Sequence, residues 1–329
     1  MMTEEIKQLI QDLINKLKLG DIIDEPARVM GGLLNRMYKV STTTGVYAIK
    51  HLNPEVMKRE NAKHNHILAE KIANIAKNND INCLPAKIFN GSSLQELKGN
   101  YFFIYDWYNG KPVQEDNIKI EEVIKVASLL AKLHNIDFSE VKNECILGQE
   151  ISEIDWDSYI ERLDNEEIKE LLINKKDHLT KLDKLSSNMR KEISNNVVVS
   201  HRDLDLPNIL WDEDDNPMII DWESSGLVNP CEELIETAWD WSGGQYYFDM
   251  NKFNCFIKSY KENGGDLKDF NKAIYSNFKN KSGWLEYNLK RVCKIECIDE
   301  EEQKLGEKEV IRVIKEIILF YDIMKNVKI

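Results

Sequence analysis

The stretch from 197 to 223 constrains the fold more than any other part of this chain of 329 residues. It alternates short apolar runs, at 197–199, 209–211 and 218–220, with a polar loop and an acidic turn that contains proline. Apolar runs of this length, bounded by Asn, Asp and Pro, predict strands joined by turns. We therefore expect a β-hairpin whose polar residues gather at its open end.

Three side chains with oxygen atoms stand at the predicted mouth of this hairpin. Asp203 and Asn208 lie at the two ends of the polar loop, and Asp221 follows the returning strand, so a hairpin register brings them to one edge. Mg²⁺ prefers oxygen ligands and is usually held by one or two carboxylates together with substrate phosphates. Asn208 and Asp221 thus predict a magnesium site open to a nucleotide, and Asp203 is left to face an attacking hydroxyl.

The same residues resemble a known catalytic signature. His201-Arg202-Asp203-Leu204 with Asn208 is similar to the catalytic loop of the protein kinases, and Ile220-Asp221-Trp222-Glu223 stands where their metal-binding Asp motif would be, without its Phe-Gly. No Ala-Pro-Glu motif follows, which disfavours a protein kinase. The Asn-Ile-Leu-Trp and Ile-Asp-Trp-Glu runs resemble instead the aminoglycoside phosphotransferase and choline kinase superfamily.

This resemblance implies an α+β fold of the two-lobed protein-kinase type. The first lobe, 1–108, would bind the nucleotide with an antiparallel sheet and one helix. The second lobe, 109–329, would be mainly helical and would carry the catalytic hairpin and the acceptor site. The implied activity is that of a small-molecule kinase, with ATP or GTP as co-substrate and Mg²⁺ as cofactor.

The first lobe holds residues that the resemblance assigns to the nucleotide. Gly31 and Gly32 open a Gly-Gly-x-x-Asn-x-x-Tyr-x-Val run, which is similar to the segment that covers the nucleotide in this family. Its Asn35 would either touch phosphate or cap the turn. The following apolar strand ends in Lys50 and resembles the Val-Ala-Ile-Lys strand, whose lysine pairs with the α and β phosphates.

A glutamate on the next predicted helix, 56–77, should steady Lys50 with an ion pair. Glu60 and Glu70 are the candidates on this helix. Glu70 is flanked by apolar residues and so belongs to the inner face, whereas Glu60 stands among charged residues near the helix start. We therefore predict that Glu70 is the partner of Lys50.

Residues 85–90 and 101–106 are predicted as two further strands of the sheet. The chain then leaves the predicted sheet near 104–110, as the hinge between kinase lobes does. The resemblance places backbone groups of Asp106, Trp107 and Tyr108 at the adenine edge. Beyond the hinge, apolar residues at helical spacing predict helices, and those at 156–163 and 166–193 form an insertion before the catalytic loop. This family often builds its acceptor site there.

Composition bears on partners and location. A net charge of −13 and a pI near 5.1 argue against nucleic acid as a partner and favour a cationic or neutral ligand. Six cysteines without a CxxC pair indicate reduced thiols in a cytosol. No secretory signal opens the chain, and no apolar run reaches the roughly 20 residues that a membrane span requires. We expect a cytoplasmic protein that binds neither nucleic acid nor membrane.

The acceptor remains open between two kinds of cation. An aminoglycoside-type polycation, which we favour, would pair with acidic residues such as Asp205, Glu223 or Asp240. Choline, or a similar quaternary amine, would be boxed by Trp239 and Trp241, unless these rings belong to the core. A noncatalytic nucleotide-binding scaffold is the alternative of another class, and the complete set of predicted site residues weighs against it.

Overall fold

A computed structural model describes residues 2–29, 35–145 and 153–327. The helices in these ranges are α1 (Glu4–Leu17), α2 (Pro54–Met57), α3 (Ala62–Asn78), α4 (Ile120–His134), α5 (Ser139–Lys142), α6 (Trp156–Arg162), α7 (Glu166–Ile193), α8 (Pro230–Asp240), α9 (Gly244–Tyr247), α10 (Met250–Glu262), α11 (Phe270–Ser276), α12 (Phe278–Val292) and α13 (Glu300–Met324). The strands are β1 (Ala27–Val29), β2 (Arg36–Thr42), β3 (Gly45–His51), β4 (Gln95–Leu97), β5 (Asn100–Asp106), β6 (Val198–Ser200), β7 (Ile209–Trp211), β8 (Pro217–Ile219) and β9 (Gly226–Val228).

The chain forms two compact units, each assembled from separate segments. Unit 1 comprises Met1–Val113, Phe138–Glu144 and Pro207–Ser225, and unit 2 comprises Gln114–Asp137, Cys145–Leu206 and Gly226–Ile329. The β7–β8 hairpin, which the sequence analysis assigned to a second lobe, therefore belongs to unit 1. The division into lobes at residue 108 stays a prediction.

Unit 1 is built on an antiparallel sheet with the strand order β1-β2-β3-β5-β4. Leu13 and Ile14 of α1 are fully buried against Val40 and Ile49 of the sheet, because the apolar residues of α1 recur at helical spacing. Two local predictions here were wrong. Residues 85–90 form no strand, and the helix predicted over 56–77 is interrupted before Ala62.

Unit 2 is mainly helical. Its core lies between α6, α7, α12 and α13, where Leu172, Leu179, Leu285 and Ile314 are fully buried. A short antiparallel pair, β6 with β9, places Ser200 opposite Gly226 and ends at the predicted catalytic loop. An antiparallel sheet early in the chain and a helical remainder confirm the predicted α+β class.

The long helices of unit 2 carry charged residues along their whole length. The charged positions of α7 and α13 alternate with their apolar ones. Within 2–29, 35–145 and 153–327, no helix is long and apolar enough to cross a membrane.

Candidate active site

Lys50 lies near the end of β3 at the centre of an ion cluster in unit 1. Its Nζ is 2.6 Å from Asp221 Oδ1 and 2.5 Å from Glu223 Oε2, and the residue is only 4% exposed. Burial opposes the charge on Lys50, but the two carboxylates outweigh it and raise the pKa of Lys50 above its ordinary value. Lys50 is therefore a fixed cation, held between two acidic residues of one short segment.

Glu70, the predicted partner of Lys50, makes other contacts. Its Oε2 accepts a hydrogen bond from the Ala86 N–H at 2.6 Å, and its Oε1 accepts one from Tyr105 Oη at 2.8 Å. Burial raises the pKa of Glu70, although these hydrogen bonds oppose the rise. The predicted ion pair between Lys50 and Glu70 is therefore not formed, because the Lys50 ammonium pairs with Asp221 and Glu223 instead. A role of Glu70 in nucleotide binding stays a prediction.

The predicted magnesium ligands lie at one end of the β7–β8 hairpin. Ile209 pairs with Ile219, and the Ile220 N–H donates to the Asn208 carbonyl at 3.0 Å, which brings Asn208 close to Asp221. Asp221 has a left-handed backbone with φ 62°, a conformation that costs a residue other than glycine roughly 1 kcal/mol or more.

This donor set fits a metal that shares its coordination with phosphate. One amide oxygen and one carboxylate from the protein leave further positions for phosphate oxygens and water, as Mg²⁺ prefers. In the part of the chain that the structure describes, no three His, Cys, Asp or Glu side chains form a metal-binding group of their own.

Glu223 contacts Lys50 directly, and Asn35 holds Glu223 in place. Asn35 Nδ2 donates to Glu223 Oε2 at 2.6 Å, and Asn35 Oδ1 accepts from the Asn53 N–H at 2.8 Å. Burial raises the pKa of Glu223 to about 7; Asp221 adds to the rise, and Lys50 opposes it. Both ends of the Asn35 amide are thus bonded to protein.

The sequence analysis assigned Glu223 to the acceptor, and its position beside Lys50 is a correction. The Ile-Asp-Trp-Glu motif could have indicated this position, since it places Glu223 two residues after Asp221 in the chain. Gly31 and Gly32 lie outside the described residues.

The predicted adenine-binding segment follows β5 in unit 1. Asp106 is exposed and pairs with Lys87 at 2.8 Å, and the Trp107 N–H donates to the Val46 carbonyl at 2.9 Å. Tyr108 is half-buried, and its Oη donates to Asp212 at 3.2 Å. The Trp107 amide is therefore already bonded within the sheet, and contact of this segment with adenine stays a prediction.

Asp203 lies in unit 2, in the loop that follows β6, and it is exposed. The preceding residue, Arg202, has a left-handed backbone with φ 68°, and its N–H donates to Glu233 Oε1 at 2.6 Å. His134 lies on the other side of the same carboxylate, with Nε2 2.8 Å from Glu233 Oε2. His134 is thus a structural histidine.

Asp240, at the end of α8 in unit 2, has a strongly perturbed carboxyl group. Burial raises its pKa well above the ordinary range; Glu316, Glu236 and Asp203 raise it further, and Lys281 opposes the rise. Asp240 remains partly exposed, and its carboxylate has no hydrogen bond or ion pair with any described residue. Asp240 is therefore a recessed carboxylate that can still accept hydrogen bonds from a ligand.

Trp239 and Trp241 are fully buried core residues. Trp239 stacks on Phe248 with the ring centroids 4.8 Å apart and donates its indole N–H to Glu316 at 3.1 Å. Trp241 donates its indole N–H to the Leu204 carbonyl at 3.0 Å. These rings therefore form no exposed wall for a quaternary amine, which removes the aromatic box that the sequence analysis left open.

Comparison with known proteins assigns the chain to a class. Residues 27–247 match the model of the phosphotransferase enzyme family. This match covers more than half of the chain, and the chain belongs to that family. A comparison of the sequence with curated proteins gives no match.

Solved structures share the fold over nearly the whole chain. The spectinomycin phosphotransferase APH(9)-Ia, solved with ADP and spectinomycin, is 15% identical with a TM-score of 0.72, and the match covers 96% of this chain and 98% of that one. The Plasmodium vivax ethanolamine kinase is 17% identical with a TM-score of 0.63, covering 94% and 89%. The choline kinase LicA from Streptococcus pneumoniae is 14% identical with a TM-score of 0.62, covering 96% and 99%. These likenesses confirm the predicted kinase-like fold.

Proposed function

We propose that this protein is a kinase that transfers the terminal phosphoryl group of ATP or GTP to a hydroxyl of a small molecule bearing ammonium groups, of aminoglycoside type. The Lys50–Asp221 ion pair is the observation that carries the proposal. It joins, at 2.6 Å, the lysine proposed to hold phosphate and the carboxylate proposed to hold metal. Together with Asp203 and the match to the phosphotransferase family, this pair favours an enzyme over a noncatalytic nucleotide-binding scaffold.

Each residue of the proposed machinery has one task. Lys50 donates hydrogen bonds to the phosphates, with Glu223 and Asn35 fixing its position. Asp203, which is exposed, accepts the proton of the acceptor hydroxyl and orients its oxygen for in-line attack. Such transfer needs positioning and charge neutralisation more than covalent chemistry. Backbone groups of 106–108 contact the base.

Asn208 and Asp221 would hold Mg²⁺. The bound ion would neutralise charge on the phosphate oxygens. The protein's own part is to present one amide oxygen and one carboxylate from the same end of the hairpin. Because Lys50 already donates to Asp221 Oδ1, its ammonium would divide its hydrogen bonds between Asp221 and phosphate when the nucleotide binds.

Asp240 supports an acceptor that carries N–H groups. A recessed carboxylate without a hydrogen-bond partner is costly unless a ligand supplies a donor. Protonated primary or secondary amines donate hydrogen bonds, and a quaternary amine has no N–H to donate. Aminoglycosides meet this requirement best; ethanolamine meets it with a single ammonium, and choline does not meet it.

A phosphorylation screen tests the proposal. Purified protein with Mg²⁺ and either ATP or GTP is offered spectinomycin, kanamycin, ethanolamine, choline, a macrolide and a neutral sugar. We expect transfer to an acceptor with N–H groups. Asp240→Asn should raise the KM for that acceptor about tenfold or more, since a charge-assisted hydrogen bond contributes about 1.5–3 kcal/mol.

The exposed Asp322→Asn on α13 is the matched control, because it removes one charge from the same unit. Its kinetics should remain those of the wild type. Transfer to the neutral sugar or to choline alone, or equal effects of the two substitutions, would contradict the proposed acceptor class.

A further inference from the structure

The residues immediately before and after Asp203 are each held, through one backbone group, by a buried side chain. The Arg202 N–H, on the N-terminal side, donates to Glu233 Oε1 at 2.6 Å. The Leu204 carbonyl, on the C-terminal side, accepts from Trp241 Nε1 at 3.0 Å. Glu233 belongs to α8, and Trp241 is the residue that caps its C-terminus. α8 and its capping residue therefore hold the loop by hydrogen bonds on both sides of the proposed catalytic carboxylate.

Glu233 is itself fixed by a chain of buried hydrogen bonds. His134 Nε2 lies 2.8 Å from Glu233 Oε2, and His134 Nδ1 lies 2.7 Å from Tyr260 Oη. Burial raises the pKa of Glu233, but the hydrogen bonds from His134 and the Arg202 N–H outweigh it and leave the pKa below its ordinary value. Glu233 therefore stays ionised and accepts the Arg202 N–H. His134 of α4 and Tyr260 of α10 hold it in place.

The left-handed backbone of Arg202 explains why the loop needs such a grip. A residue other than glycine in this conformation costs roughly 1–3 kcal/mol and persists only where its surroundings enforce it. The Glu233 carboxylate bonds the N–H of that same residue.

We propose that Glu233 and Trp241 are positioning residues that set the direction of the Asp203 carboxylate by clamping the backbone of the residues before and after it, through the Arg202 N–H and the Leu204 carbonyl. The inference rests on the proposed function, in which Asp203 accepts the proton of the acceptor hydroxyl. A displacement of about 1 Å in a reacting group can reduce turnover by up to roughly 10²-fold. Loosening either half of the clamp should therefore lower kcat and leave nucleotide binding unchanged.

Trp241→Phe removes the indole N–H and keeps an aromatic ring in the core. Trp239→Phe is the matched control, since Trp239 is on the same helix, is equally buried, and donates its N–H to Glu316 instead of the loop. Both substitutions should lower the thermal midpoint by similar amounts. The assay follows ADP release from MgATP with water as the acceptor. In Trp241→Phe the kcat should fall about tenfold and the KM for MgATP should stay unchanged. In Trp239→Phe the kcat should fall by less than twofold.

Hydrogen exchange of the peptide that contains 200–206 gives a readout that needs no turnover. Trp241→Phe and Glu233→Gln should speed exchange in this peptide, and Trp239→Phe should leave it at the wild-type rate. Equal exchange in Trp241→Phe and Trp239→Phe, or an unchanged kcat in Trp241→Phe, would overturn the clamp. A wild-type protein that neither binds MgATP nor releases ADP would overturn the proposed function instead, and the exchange result would still decide whether the clamp exists.

Discussion

At the scale of single residues, the charge on Glu223 depends on Lys50. Burial and Asp221 raise the pKa of Glu223 to about 7, and Lys50 opposes them from 2.5 Å. The place of Lys50 near the end of an apolar strand could be predicted from the sequence. Its partner could not, because Asp221 lies 171 positions further along the chain and only the folded hairpin brings it close.

Glu223→Gln tests the contact between Glu223 and Lys50. The variant keeps an oxygen for Asn35 and loses the charge that holds Lys50, so we expect MgATP affinity to fall about tenfold, as for the loss of one charge-assisted hydrogen bond. Calorimetry with MgATP measures the affinity. Glu70→Gln serves as the comparison, and a larger loss there than in Glu223→Gln would restore Glu70 as the partner of Lys50.

Asp240 gives the proposed acceptor binding a pH dependence. Its carboxyl has a pKa raised by burial and by Glu316, Glu236 and Asp203, against the opposing effect of Lys281. Only the carboxylate form attracts an ammonium, so the KM of an amine acceptor should fall as pH rises through the raised pKa. Burial disfavours that charged form, so the contribution of Asp240 to folding stability decreases over the same pH range.

Steady-state kinetics from pH 5 to 8 with the acceptor found in the screen measures this dependence. In Asp240→Asn the KM should be high and lose most of its change with pH. A wild-type KM that rises with pH over this range would contradict the assignment.

At the scale of helices and strands, local patterns predicted some elements and missed others for a physical reason. The helix 166–193 and the strand 209–211 occur as predicted, because their apolar spacing is complete within the segment. β4 and β9 were missed, since each is a strand through its pairing with a distant partner. Residues 85–90 look like a strand in sequence, yet none forms there. The Lys87 N–H bonds the Ile104 carbonyl of β5, but the Ala86 N–H bonds the Glu70 side chain.

Asn229 determines where α8 begins, and its loss should be costly. Its Oδ1 accepts from the Cys231 N–H at 2.9 Å, and its Nδ2 lies within hydrogen-bond distance of Ile193 O, Asn196 O and Asp269 Oδ2. Asn229→Ala removes a helix cap and leaves buried groups unsatisfied, so we expect the free energy of unfolding to fall by about 2–4 kcal/mol.

Urea unfolding measures this loss against a second capping residue. Asp249→Ala removes the exposed cap of α10, which accepts from the Asn251 N–H at 2.7 Å, and should cost about 1 kcal/mol. Equal losses in the two variants would show that the buried bonds of Asn229 contribute nothing beyond capping.

At the scale of the whole molecule, the family was predictable and the division into units was not. The motifs that identify the phosphotransferase family are short and contiguous, and the match over 27–247 includes all of them. The units are assembled from segments far apart in sequence, so that Asp203 belongs to unit 2 while Asn208 and Asp221 belong to unit 1. No local pattern encodes such an exchange of segments.

The central claim is that this chain moves a phosphoryl group to a small-molecule hydroxyl with Asp203 as the base. Mass spectrometry of the acceptor after incubation with Mg²⁺ and ATP or GTP tests it most directly. We predict a product with one added phosphate in the wild type and a rate lower by about 10²–10⁴-fold in Asp203→Ala, whose affinity for the nucleotide should stay within a few-fold. Full turnover in Asp203→Ala, or no phosphorylated acceptor from the wild type with either nucleotide, would contradict the account.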